Sequence, residues 1–309
     1  MRIITGIDAV QASDHGASAA LGNFDGVHRG HQAVLDAARL PGAPLGVVTF
    51  EPHPRAFFAP GAPPFRLMTP EARAHRLEKL GVELLVTLDF NKALASLTAE
   101  AFARDVLAGA LGLRHVAVGA DFRFGKGREG DADTLTALGA TYGFGVSAVE
   151  LVGGEEAFSS TAIRVALAEG RPEEAARMLG HRHRIDGRVV HGEKRGRTLG
   201  FPTANLDLTG LHLPRFGVYA VGVDVLDGLY KGRYRGAASM GVRPTFGANV
   251  PNLEVHLLDF AGDLYGAELS VALVAFQRPE IKYTTAEALV VQMHDDCAQA
   301  AGLLAAEGL

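Results

Sequence analysis

From about residue 15 to residue 180 the chain repeats one pattern: a short run of apolar and β-branched residues, then a segment carrying helix signals. The runs are AALGNF, LGVVTF, ELLVTLD, RHVAVGA and FGVSAVE. TPEARAHRLEKLG begins with Thr69 as a cap, Pro70 in the first turn and an early Glu71, and it ends at Gly81. TAEAFARDVLAGALG repeats that plan from Thr98 to Gly112. Strands separated by helices cannot pair as hairpins. The alternation therefore predicts a parallel, doubly wound α/β sheet with ligands at its carboxyl edge.

After PEEAARMLGHRHR the pattern changes. RIDGRVVH, GVYAVGVDV, LYKGRYRGAASM, LEVHLLDF and ELSVALVAF follow one another with only glycine and proline turns between them. Short strands at that spacing predict an antiparallel barrel or sandwich. A helix from about Thr285 to Ala305 closes the chain, with Ala288, Leu289, Val291, Met293, Cys297, Ala300 and Leu303 on an irregular apolar stripe. A chain of 309 residues is long enough for about two domains, and the change of pattern places them at 1–182 and 183–309.

A net charge of −5 supplies no basic face for nucleic acid, so a bound nucleotide is expected to be small. The single cysteine, Cys297, cannot pair within the chain and has no soft neighbours for a structural zinc, which points to a reducing, cytoplasmic setting. No apolar run approaches the roughly 18 residues a membrane helix needs. Whether copies associate into a homo-oligomer is left open.

Two stretches carry chemistry. In LGNFDGVHRGH, Gly22, Gly26 and Gly30 permit tight backbone paths, and His28 and His31 lie one turn apart near a helix start. Unpaired amides at such a start favour anions, and imidazole donors can add to them. The helix terminus alone is worth ~0.3–1 kcal/mol, or ~2 in partly buried geometry, so further donors are needed. The same residues could instead cap the helix, or bind a metal with Asp25 as third ligand. In SSTAIRVALAEG, Ser159, Ser160 and Thr161 bring hydroxyls to another helix start and Arg164 adds a permanent charge. Read locally, Ser160 is a cap and Arg164 a solvated helix residue.

Taken together these stretches resemble the nucleotidyltransferase superfamily, GNFDGVHRGH matching its HxGH signature and SSTAIR its second phosphate motif. TFEPHPRAFF, VGADFRFGKGREGD and the second half narrow the resemblance to the prokaryotic bifunctional riboflavin kinase and FAD synthetase (FMN adenylyltransferase) family, over about residues 15 to 296. The resemblance implies a Rossmann-like first domain that joins FMN and ATP into FAD and releases pyrophosphate. It implies ATP contacts at Gly22, Phe24, Asp25, Gly26, His28, Gly30, His31, Ser159, Ser160, Thr161 and Arg164, and a flavin cleft at His53, Pro54, Asp121, Phe122, Arg123 and Phe124. Pro52 and Pro54 can also be read as merely holding an extended turn.

The second half contains GRVVHGEKRGRTLGFPTANL, which resembles the riboflavin kinase signature built on Pro-Thr-Ala-Asn. Gly192, Gly196, Gly200, Pro202, Thr203 and Asn205 are thereby implied in holding ATP, with Thr203 and Asn205 on its Mg²⁺. If that stretch is extended, those two side chains share one face. In NLEVHLLDFAGDLYG, alternation sends Val255 and Leu257 one way and Glu254 and His256 the other. The attacking ribityl hydroxyl is a weak acid and needs a base, a role the resemblance gives to Glu254. Adenylyl transfer uses an already ionised phosphate and needs none. Arg278 is implied in flavin contact, while Tyr283 stands where phenylalanine is expected and RHRIDG replaces a more usual entry into the barrel. The expected reactions are riboflavin to FMN in the second half and FMN to FAD in the first. Rival readings are a synthetase with an inactive flavin-binding barrel, a cytidylyltransferase with another acceptor, and a flavin sensor without turnover.

Overall fold

The computed structural model describes residues 1–150, 152–153, 158–192, 196, 199–245 and 248–309. The chain forms two compact units, Met1–Pro63 with Pro70–Ser159, and Pro64–Thr69 with Ser160–Leu309.

In the first unit β1 (Arg2–Thr5), β2 (Ser18–Leu21), β3 (Leu45–Glu51), β4 (Leu84–Asp89), β5 (His115–Gly119) and β6 (Gly145–Val149) form one sheet in the order β1-β4-β3-β2-β5-β6. Every pairing is parallel. Ala19, Leu21, Val116 and Val118 share a core with Leu107 and Leu135, while Ala20, Val47, Leu85 and Ala117 on the other face are equally buried. That two-sided burial explains the near-continuous apolar runs. Edge strand β1 escapes the sequence pattern, because three of its four residues are exposed and only the ladder with β4 makes it a strand.

Helix α1 (Arg29–Ala37) follows β2 and packs on β2, β5 and β6. Helices α2 (Pro54–Phe58), α3 (Pro70–Lys79) and α4 (Ala132–Tyr142) come next. The segment expected as a helix from Thr98 starts there as predicted, with Thr98 accepting from the Ala101 N–H at 3.1 Å. It then widens into a π-helix over Phe102–Ala110. β2 lies between β3 and β5, so chain connections diverge on its two sides. The cleft at its carboxyl end is therefore where a ligand is expected in such a sheet.

In the second unit β7 (Arg184–Arg188), β8 (Ala204–Asp207), β9 (Gly217–Val225), β10 (Gly232–Thr245), β11 (Ala248–Leu257) and β12 (Glu268–Arg278) pair antiparallel in the order β7-β12-β9-β10-β11-β8. A bridge from Val190 to Asn205 brings the two ends of that sheet together, so the barrel is nearly closed. Leu206, Tyr219, Val221, Leu253, Val255 and Val271 fill it. The run expected from Leu229 starts only at Gly232, since Gly228 turns at φ 78° and Leu229 is 88% exposed. The run expected to end at Phe260 stops at Leu257, and Asp259 takes a positive φ of 53°.

Helices α5 (Ser160–Ala168) and α6 (Pro172–Leu179) pack together, and α6 lies on β12. The last helix, α7 (Ala286–Ala306), is capped by Thr285, whose hydroxyl accepts from the Ala288 N–H at 3.2 Å. Its predicted stripe is only half realised. Ala300 and Leu304 bury against Ala220, Ala237 and Val274, whereas Val291 is 62% exposed. The helix docks through its later turns, and its first turns flank a cavity.

Candidate active sites

In the first unit the chain leaves β2 through a strained path. Phe24 (φ 54°), Gly26 (φ 85°) and Val27 (φ 45°) all adopt left-handed backbone, and Val27 is β-branched and fully buried. Such conformations persist only where the surroundings dictate them. Here they turn the backbone so that α1 starts at Arg29, with His28 as its N-cap. The His28 Nδ1 accepts from the His31 N–H at 3.3 Å, and the two rings stack with centroids 3.7 Å apart. Phe24 lies 5.0 Å from His31 on the same cluster.

Because Nδ1 is the acceptor, a neutral His28 carries its proton on Nε2. Burial, and then the neighbouring His28, hold the His31 pKa well below the usual histidine range, so His31 is a neutral ring at physiological pH. Its Nδ1 is buried and has no partner among the described residues. Gly30 makes the stacking possible, since a Cβ there would lie 3.0 Å from His28 Cε1 and 3.1 Å from Nδ1. Asp25 is buried in the same turn. Among the described residues no three His, Cys, Asp or Glu side chains gather to hold a metal, so Asp25 does not complete a metal site with the two histidines. The helix-capping reading is realised in His28.

Arg73 of α3, only 4% exposed, braces this loop, donating from Nη1 to the Asn23 carbonyl at 3.2 Å and from Nη2 to Glu51 Oε1 at 2.8 Å. Thr49 Oγ1 donates to the same carbonyl at 3.3 Å. Asn23 Oδ1 is buried without a partner among the described residues. Arg73 carries no signal in the sequence, where it is one arginine of a charged helix.

The stretches after β3 and β5 lie at the same carboxyl edge. His53 caps α2, its Nδ1 accepting from the Arg55 N–H at 3.0 Å, and Pro54 begins that helix rather than holding an extended turn. Phe122 stacks on Phe124 at 5.6 Å, and Phe124 is itself buried 5.9 Å from Phe102. Arg123 pairs with Asp131 at 3.1 Å, Asp131 being the cap of α4, and Asp121 is exposed. Ser159 closes the first unit, while Ser160, Thr161 and Arg164 open the second on α5. Arg164 is not simply solvated. Its Nε donates to the Phe65 carbonyl at 2.6 Å and its guanidinium lies 5.4 Å from the Phe65 ring centroid.

In the second unit the Pro-Thr-Ala-Asn segment runs into β8, so the extended backbone that a shared face requires is present from Ala204 onward. β8 pairs with β11, and the register sets Asn205 directly opposite Glu254. Leu253, Val255 and Leu257 face the barrel core, and Glu254 and His256 face outward, as alternation predicts. Asn205 is 4% exposed and 2.5 Å from where a Cβ on Gly192 would sit. The Pro202 carbonyl accepts from His256 Nδ1 at 2.9 Å. Gly196 accepts from the Phe201 N–H at 2.8 Å, and Gly200 turns at φ 88°.

A cavity of about 470 Å³ opens beside this face, with Ser239, Arg278, Glu280, Tyr283 and Leu289 among its lining residues. Ser239 is the β10 partner of Glu254, which ties the cavity to the carboxylate's strand. Arg278 is anchored to α7 by two bonds to buried Asp296, Nε at 2.7 Å and Nη2 at 2.6 Å, and hydrogen bonding to that carboxylate raises its pKa further. The Tyr283 hydroxyl is buried without a partner among the described residues. Asp296 lies amid the apolar stripe of α7 and gives no sequence sign of this role.

Sequence comparison agrees with the division into two units. A FAD synthetase family profile matches residues 10–162 and a riboflavin kinase profile matches residues 179–304. The chain is 44% identical over 313 residues to the bifunctional riboflavin kinase/FMN adenylyltransferase of Pseudomonas fluorescens, covering 99% of this chain and 98% of that one. It is 42% identical over 302 residues to the protein of the same name from Escherichia coli (strain K12), covering 96% of each. A crystal structure described as a macrolide-efflux protein from Streptococcus pneumoniae is similar with a TM-score of 0.83 and 32% identity, over 96% of this chain and 97% of that one. Among the described residues no helix here is long and apolar enough to cross a membrane.

Proposed function

This chain belongs to the bifunctional riboflavin kinase/FMN adenylyltransferase family, and from that premise we propose how its residues divide two reactions. It phosphorylates riboflavin to FMN with ATP, and it adenylylates FMN to FAD with release of pyrophosphate. The observation that supports a two-site reading is that the stacked histidines and Glu254 lie in different compact units and are matched by different family profiles.

In the second unit Glu254 accepts the proton of the ribityl 5′-hydroxyl as that oxygen bonds to the γ-phosphorus and ADP leaves. Asn205 and Thr203 offer an amide and a hydroxyl oxygen, hard donors suited to a cation that keeps most of its shell on water and phosphate. The Asn205 oxygen is already oriented by a donated hydrogen bond, so these residues fit the Mg²⁺ of ATP. When bound, that ion neutralises charge on the phosphates. The flavin occupies the cavity beside Ser239, with Arg278 held in place by Asp296 and Tyr283 facing the isoalloxazine or ribityl groups.

In the first unit the FMN phosphate oxygen attacks the α-phosphorus of ATP and pyrophosphate departs. The nucleophile is already ionised, so the protein's task is alignment and charge stabilisation. His28, the neutral His31 ring and the amides at the start of α1 supply donors at that position. Asp121, Phe122 and Arg123 border the flavin side, with Phe124 as the buried floor beneath Phe122. Ser159, in the same unit, offers a further hydroxyl donor. A cytoplasmic setting fits the one cysteine, whose thiol pKa burial and Asp296 push up to about 11, keeping it protonated.

Purified protein incubated with riboflavin, ATP and Mg²⁺ is expected to form FMN first and FAD later, with ADP and pyrophosphate released in turn. Chromatographic separation of the flavins over time reads the result, and riboflavin left unchanged would refute the kinase assignment. A narrower test concerns Gly192. Gly192→Ala puts a Cβ 2.5 Å from Asn205 Nδ2, so one of the two must shift, and a misplacement of about 1 Å can cost roughly 10²-fold. FMN formation should fall by that order with adenylylation of supplied FMN intact, measured as initial rates of the two half-reactions.

A further inference from the structure

Asn252 belongs to no motif. In the structure it lies within β11, 8% exposed, two residues before Glu254 and on the same face of the strand. Glu254 and Asn205 are direct partners across the β8–β11 ladder, which puts Asn252 diagonal to Asn205. Its single amide nitrogen donates to both, to Asn205 Oδ1 at 3.3 Å and to Glu254 Oε1 at 3.2 Å. An amide nitrogen has two hydrogens, and each is directed at one of the two groups.

Resting on the reading of Glu254 as base and Asn205 as the oxygen ligand, we propose that Asn252 is a positioning residue of the kinase reaction. Its two hydrogen bonds do different things. The bond to Asn205 marks Oδ1 as the acceptor and, with Asn205 Nδ2 directed at the Thr203 carbonyl at 3.4 Å, opposes the amide flip that would present N–H groups to the nucleotide's cation. The bond to Glu254 holds the carboxylate through Oε1 and so fixes its orientation. One side chain thus sets the orientation of the metal-side ligand against that of the base.

The test uses the full-length protein, with riboflavin and Mg-ATP as substrates, and compares Asn252→Asp and Asn252→Ala with Glu254→Gln. Asn252→Ala removes the donor and leaves the Asn205 amide free to turn, so the kinase kcat should fall at least about tenfold with the riboflavin KM held within about twofold, while FMN adenylylation is unchanged. The Mg²⁺ concentration that gives half the maximal kinase rate at fixed ATP should rise several-fold. Asn252→Asp keeps the shape but not the donor and should lower kcat in the same direction; it is the variant read if the alanine form does not fold, folding being checked by riboflavin fluorescence quenching. A merely structural role would lower activity without moving the Mg²⁺ dependence. Variants that bind riboflavin and keep the kcat and the Mg²⁺ dependence of the unsubstituted protein would overturn the proposal. If Glu254→Gln itself retains turnover, the failure lies instead in the assignment of the base.

Discussion

Replacing Glu254 by glutamine is expected to lower FMN formation from riboflavin by about 10²–10⁴-fold, the usual worth of a positioned general base. The substitution is close to isosteric, and the new amide oxygen can still accept from Asn252 Nδ2, so the pairing of β8 with β11 stays intact. What is lost is the capacity to take a proton from an alcohol. FMN supplied directly should still be converted to FAD at the original rate, because that chemistry needs no base and lies in the other unit. The measurement is the initial rate of each half-reaction. Turnover of riboflavin within tenfold of the starting value would remove Glu254 from the mechanism. A protein that forms no FMN even before the change would instead be a synthetase carrying a flavin-binding barrel.

The second large effect is expected from His28→Ala combined with His31→Ala, which should abolish FAD formation while FMN still accumulates from riboflavin. Loss of one preorganised donor at a developing charge typically costs ~10²–10³-fold. The stacked pair acts as one unit, so the double loss should fall short of the product of two single losses. His28 also caps α1, and losing a cap costs about 1 kcal/mol, which loosens that helix start without unfolding a domain. Kinase activity in the same preparation is the control for integrity. Disappearance of both activities in a folded double mutant would argue that the two sites are not independent.

Much of this site was legible before any coordinates. The glycines and histidines of LGNFDGVHRGH form a local device, because the cap, the ring stacking and the clearance at Gly30 involve residues within three positions of one another. The outward face of Glu254 followed from strand alternation for the same reason. The edge strand β1 did not show, since its status depends on β4, some eighty residues away in the register of Arg2 with Leu84. The π-helical widening after Ala101 and the half-docked α7 depend equally on packing partners that no local pattern contains.

By itself the amino-acid sequence determined the two architectures, because periodicity, capping and glycine placement act over a few residues; the order of the two chemistries came from the resemblance of its motifs, which also singled out His28, His31 and Asn205 as candidate donors. Only the tertiary structure decided which distant side chains hold those donors in place. Arg73 reaches Asn23 and Glu51, Asp296 fixes Arg278, and Asn252 meets Asn205 across a ladder. Each is a single polar residue in an ordinary helix or strand, and its partner is chosen by long-range packing and register, which have no counterpart in local spacing.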